Sequence, residues 1–155
     1  MDNIELGHKT IRLLYDEFPN YFRNGDILIA GSFYYKKIGC NIIPEYKDVD
    51  LIIDENKDYI VHDILDTMKS KYNTKGFRNT FDECGLIGAC IIDGYAPVDL
   101  LRNDFSDKLP PFEIIDGVWS YRLSHKVLFE TYKKLESKNY QPRYKIIKEF
   151  FESLL

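Results

Sequence analysis

Cysteine is scarce: the chain has only three, at positions 40, 84 and 90. They form no C-x-x-C pair, and an odd number suits neither a disulfide framework nor a zinc cage. Reduced thiols in a cytoplasm-like compartment are the expectation. No apolar run approaches the ~20 residues that a membrane span needs. The opening MDNIELGHKT lacks a basic-then-apolar signal, so a soluble, cytoplasmic chain without membrane contact is expected. Basic residues are not in excess either. Lys and Arg number 21 against 25 Asp and Glu, a formal charge of −4, which argues against a dedicated duplex-DNA binder and leaves room for a small basic patch on single-stranded RNA. Repeats, low-complexity tracts and linkers are missing.

What is present is ordinary globular composition, rich in rings: 12 Tyr and 10 Phe in 155 residues. That length suits one domain over residues 1–155, with a core over about 1–105 and a helical part over about 120–155. Helical apolar spacing marks residues 3–18, 58–72, 124–135 and 142–154, the last opening on Pro142. Short β-branched or apolar runs mark strands at 26–30 and 49–53, then at 77–81, 86–92 and 95–101, with Asp93-Gly94 as a two-residue hairpin signal. Phe33 to Ile38 fits a short helix that stops at Gly39. The densest breaker clusters are Gly39 to Pro44, Asp93-Gly94 and Leu109-Pro110-Pro111. The expected class is α+β: a mixed central sheet with helices packed mainly on one face.

Three features converge on chemistry. Gly31-Ser32 closes a buried strand and opens a short helix, where a glycine lets backbone N–H groups approach an anion. Asp48 and Asp50 flank Val49 at the start of the next strand, so both carboxylates project from one side while Val49 and Leu51 point into the core. Asp99 stands between apolar neighbours in Val98-Asp99-Leu100-Leu101. Unpaired acids in apolar strands cost several kcal/mol, which calls for a compensating cation. Mg²⁺ is the natural choice, with its hard oxygen ligands and its retained places for water and phosphate.

The strings Ile29-Ala30-Gly31-Ser32, Lys47-Asp48-Val49-Asp50-Leu51-Ile52 and Val98-Asp99-Leu100 resemble the nucleotidyltransferase superfamily that includes DNA polymerase beta. Ser124-His125-Lys126-Val127-Leu128 and Pro142-Arg143-Tyr144-Lys145 are similar to small members, minimal nucleotidyltransferases and abortive-infection toxins. Ile146 stands where their pattern has an aspartate. The resemblance implies the nucleotidyltransferase fold and an enzyme that moves a nucleoside monophosphate from an NTP, such as ATP, to a hydroxyl of RNA, protein or a small molecule, releasing pyrophosphate. Asp48, Asp50 and Asp99 would be the catalytic and metal-binding residues for two Mg²⁺ ions, or Mn²⁺ in their place. Asp99 would also help take the acceptor's proton. Gly31, Ser32 and Lys126 would bind the nucleotide's phosphates. A protein partner or a second copy of the chain is a further expectation.

Each feature has a plainer reading. Asp48 suits a turn, Asp50 an exposed strand face, and Asp99 a charge that discourages edge pairing. His8, His62 and His125 share no ligand spacing, and Asp54, Asp58, Asp63 and Asp66 suit a helix's solvated face. Phe33-Tyr34-Tyr35-Lys36-Lys37 either stacks a base or packs inward, with its lysines at a helix C-terminus. Lys133, Lys134, Lys138, Arg143, Lys145 and Lys148 make the last third basic, a guide for RNA or triphosphate or a solvated face. Trp119 and Tyr121 are expected to pack the lone indole into the core. The competing functions are a catalytically weak binding module of the same fold, which senses nucleotide or blocks a partner, and an Asp-x-Asp glycosyltransferase.

Overall fold

The computed structural model describes residues 1–40, 48–78, 85–138 and 141–155. Lys47 and Cys84 lie outside the described residues, as do 41–44 of the first breaker cluster and 79–81 of the expected third strand. Six helices and seven strands follow one another: α1 (Asn3–Glu17), α2 (Pro19–Arg23), β1 (Ile27–Ala30), α3 (Ser32–Lys37), β2 (Val49–Asp54), α4 (Tyr59–Lys71), β3 (Thr74–Arg78), β4 (Leu86–Ile92), β5 (Val98–Asn103), β6 (Leu109–Ile115), β7 (Val118–Arg122), α5 (His125–Lys138) and α6 (Pro142–Ser153) among the described residues. Among the described residues no helix is long and apolar enough to cross a membrane.

Local chemistry explains the boundaries. The Asp2 carboxylate accepts the Glu5 N–H at 2.8 Å and caps α1. Pro19 drives Phe18 out of helical geometry, to φ −127°, and then serves as the first residue of α2. Asp93-Gly94 is not a tight hairpin. β4 and β5 pair antiparallel with Cys90 opposite Val98, and residues 93–97 form the connection. The Ala96 N–H is taken by the buried Thr10 hydroxyl, and the Pro97 carbonyl accepts the Val49 N–H. The two-residue hairpin is Asp116-Gly117, where Ile115 and Val118 are partners and Gly117 has φ +77°. Pro110-Pro111 disguises its first strand as a breaker. β6 tolerates them because a two-stranded ribbon leaves each strand one edge without ladder bonds.

The class is α+β with a mixed five-stranded sheet in the order β1-β2-β5-β4-β3. β2 and β5 are parallel and central; the other pairs are antiparallel. Helices cover both faces, not mainly one. Gly88 of β4 packs against Val61 of α4 and Leu100, whereas the Asn103 amide donates to Thr131 of α5 at 3.0 Å. Leu100 and Asn103 are three positions apart on β5, so they point to opposite faces. α1 joins α4 on the first face, where the Tyr72 hydroxyl at the end of α4 donates to Glu17 at 2.7 Å. The core of that face includes Val49, Leu51, Val98, Leu100, Ile60 and Ile64, all fully buried.

The β6–β7 hairpin covers the outer edge of β1, where Ser120 Oγ accepts the Ile29 N–H at 3.0 Å. It also corrects the expectation for the lone indole. Val118 and Ser120 are fully buried, so strand alternation turns Trp119 outward, 51% exposed. Tyr121 is half-buried, with the Lys108 ammonium 5.1 Å from its ring centre.

Candidate active site

β1 delivers Gly31 to a sharp turn. It holds φ +70° and ψ −154°, a conformation that L-residues with side chains avoid, and its carbonyl accepts the Tyr35 N–H at 2.8 Å as α3 begins. The α-carbon of Gly31 faces the Asp50 carboxylate so closely that a β-carbon there would overlap Oδ2. Glycine is needed here to admit an acid. Ser32, the first residue of α3, is buried.

The registers gather the acids. Ala30 opposes Asp50 on one side of β2, and Asp50 opposes Asp99 on the other. Partners across a ladder share a face, so the two carboxylates project together from adjacent parallel strands. Asp48 stands half-buried just before β2. Burial, then the Asp99 charge, then the Asp48 charge push the Asp50 carboxyl up to about 7, against a smaller opposing pull from Arg143. Burial and then Asp48 likewise raise Asp99. The Cys90 thiol, next to the Asp99 row on β4, is driven up to about 11 by burial and then by Asp99. Asp50 therefore feels both of the other expected acids, and Asp99 feels Asp48. Among the described residues, however, no group of three His, Cys, Asp or Glu side chains is arranged to hold a metal ion.

Those donors suit a hard divalent cation. Carboxylate oxygens are its preferred ligands, and a cation would offset the burial and the charge repulsion that raise Asp50 and Asp99. Asp50 and Asp99, with Asp48 at the strand mouth, would hold it.

Behind Asp50 lies a feature that the sequence reading did not find. The hydroxyls of Tyr35 on α3 and Tyr132 on α5 are 2.8 Å apart. Burial raises both, and the Asp50 charge adds to the shift in each. Arg143, at the start of α6, acts electrostatically on both Asp50 and Tyr132. Sequence reading placed Arg143 only in a helix start and a basic face. Its electrostatic reach to Asp50 depends on how α6 returns against α5.

Lys126 does not join this group. It lies exposed on α5, lining a cavity of about 620 Å³ with Glu55, Arg102, Asn103, Asp104 and Lys134. That cavity sits at the far end of β5, four residues or ~13 Å of strand beyond Asp99. His8 lies against Phe33 and His125 against Phe151, with burial lowering both imidazoles. Phe33 takes the inward reading. It is buried and fills the space that Gly7 of α1 leaves by lacking a side chain. Lys36 and Lys37 end α3. No protein-family model matches this chain, and no curated protein matches it.

Proposed function

We propose that the chain is a Mg²⁺-dependent nucleotidyltransferase with the nucleotidyltransferase fold. The observation that carries this reading is the group Gly31, Asp50 and Asp99: a left-handed glycine turn against one acid, which faces a second acid on the adjacent parallel strand. Local packing gives no reason to set two carboxylates side by side in a sheet, since each raises the cost of ionising the other. A phosphoryl-transfer site gives one.

When bound, Mg²⁺ supplies charge neutralisation for the triphosphate and for the departing pyrophosphate. The chain's own residues supply placement. Main-chain N–H groups at Gly31 and Ser32 would receive phosphate oxygens where the turn opens beside Asp50. The acceptor's hydroxyl oxygen bonds to the α-phosphorus, the bond to the β-phosphate oxygen breaks, and pyrophosphate leaves. The acceptor's proton passes to the Asp99 carboxylate. Catalysis on this scheme is mostly positioning and electrostatics.

Incubation with labelled NTPs, Mg²⁺ and RNA, protein or small-molecule acceptors tests the reading. Wild-type protein should transfer label, and the Asp48→Ala/Asp50→Ala double variant should not. Equal transfer by both overturns it. A second reading, a catalytically weak binding module, is favoured by the absence of a ready-made metal trio among the described residues. Calorimetric binding of NTP and Mg²⁺ without turnover would select it.

A further inference from the structure

The row that holds the acids continues across the whole sheet. Ala30, Asp50, Asp99, Ala89 and Phe77 are consecutive ladder partners from β1 to β3. All five therefore share one face. Phe77 is two strands from Asp99, ~10 Å away, with Ala89 between them in the ladder. Its neighbour Gly76 points the other way, toward Leu65 of α4. Phe77 is 54% exposed, and Ile91, on the same face of β4, is 48% exposed. Phe77 stands on the edge strand β3, where a charge is usual in place of a large apolar side chain. The opposite edge of this sheet is closed by Ser120. Lys75, the ladder partner of Ile91, puts a cation on the rim.

We propose that the Phe77–Ile91 shelf binds a nucleobase of the substrate. The ring stacks on Phe77, its phosphate lies over the Asp99 and Asp50 end of the same row, and Lys75 offers the charge that an anionic nucleotide needs. The proposal rests on the nucleotidyltransferase reading and adds to it the part of the substrate that the acids cannot hold. Continuity of the shelf with the acid row selects this occupant. A second copy of the chain, paired along β3, would have no need of carboxylates in register with its apolar anchor. The base belongs either to the incoming NTP or to the terminal nucleotide of an RNA acceptor, and both offer the same planar surface.

Calorimetry in Mg²⁺ separates these cases. The ligands are the four NTPs, inorganic triphosphate, and a short RNA ending either in a normal nucleotide or in an abasic one. Phe77→Ala should weaken a base-bearing ligand roughly tenfold, Phe77→Tyr should retain wild-type affinity, and triphosphate alone should bind all three proteins equally. A loss confined to NTPs assigns the donor's base; a loss confined to RNA with an intact terminus assigns the acceptor's base. If Phe77→Ala binds every ligand as wild type does, or changes only the sedimentation of a dimer, the shelf proposal falls and the nucleotidyltransferase reading stands. If wild-type protein binds none of the ligands, both fall.

Discussion

Gly31 and Asp50 occupy each other's space: the carboxylate of one sits where the other would carry a β-carbon. The contact joins the turn after β1 to the centre of the sheet. It ties a positive φ that only glycine adopts freely to the placement of an acid, so a side chain at position 31 would disturb Asp50.

Gly31→Ala should therefore destabilise the fold by ~2 kcal/mol or more, from the φ of +70° together with the overlap on Asp50. The double variant Gly31→Ala/Asp50→Ala should recover the part due to overlap and not the part due to φ. Denaturant melts of the two single variants and the double variant measure that coupling. Strict additivity would show that the carboxylate yields freely.

The carboxyl of Asp50, raised to about 7, sets a pH dependence. In the folded chain it keeps a proton that the unfolded chain releases near pH 4. Linkage then makes stability fall as pH rises from about 4 to about 7, by on the order of a few kcal/mol. Asp50→Asn cannot ionise, so it should melt well above wild type at pH 8 and close to it only below about pH 4. Mg²⁺ should raise the wild-type melting temperature at pH 8, and chelation should reverse that gain. Asp50→Asn should respond to neither treatment.

The hydroxyl pair of Tyr35 and Tyr132 is part-buried and within electrostatic reach of Asp50. Tyr132→Phe leaves the Tyr35 hydroxyl without its partner and should cost about 1–3 kcal/mol. Replacing both by Phe should cost less than twice that, since no orphaned group remains. If the pair also positions Asp50, either variant should move the pH profile of nucleotide transfer, and a merely structural pair would leave it in place.

Ser120 is fully buried; it accepts the Ile29 N–H at 3.0 Å and donates to the Tyr121 carbonyl at 2.8 Å. Ser120→Ala strips both groups of a partner and should cost about 1–3 kcal/mol. Amide exchange at Ile29 should quicken by more than exchange in the strand centre of β5. Unchanged exchange at Ile29 would show that the hairpin does not seal that edge through Ser120.

Period and punctuation made most of this fold legible from the residues. The helical stripes of α1, α4 and α6 and the β-branched runs of β1 and β2 are local patterns that need no partner to be read. Gly31, Asp48, Asp50 and Asp99 were legible for a related reason: a glycine at a strand end and acids inside apolar runs contradict their immediate surroundings. Two Asp-Gly pairs look alike as dipeptides, yet only Asp116-Gly117 forms the tight hairpin. At Asp93-Gly94 the following residues are held by Thr10 and Val49, which are distant in the chain. Trp119 faces outward because Val118 and Ser120 are needed inward, a choice made by the hairpin's docking on β1.

Sequence alone determined which residues stand out as candidates for chemistry, because charge in an apolar strand is costly wherever that strand goes. Tertiary structure alone decided what stands beside them. Strand register aligns Asp50 with Asp99 and extends the row to Phe77, helix return brings Arg143 toward Asp50, and the direction of β5 separates Lys126 from the acids by the length of the strand. Register is a property of two strands together, fixed by which faces they bury, and no single stretch of chain contains it.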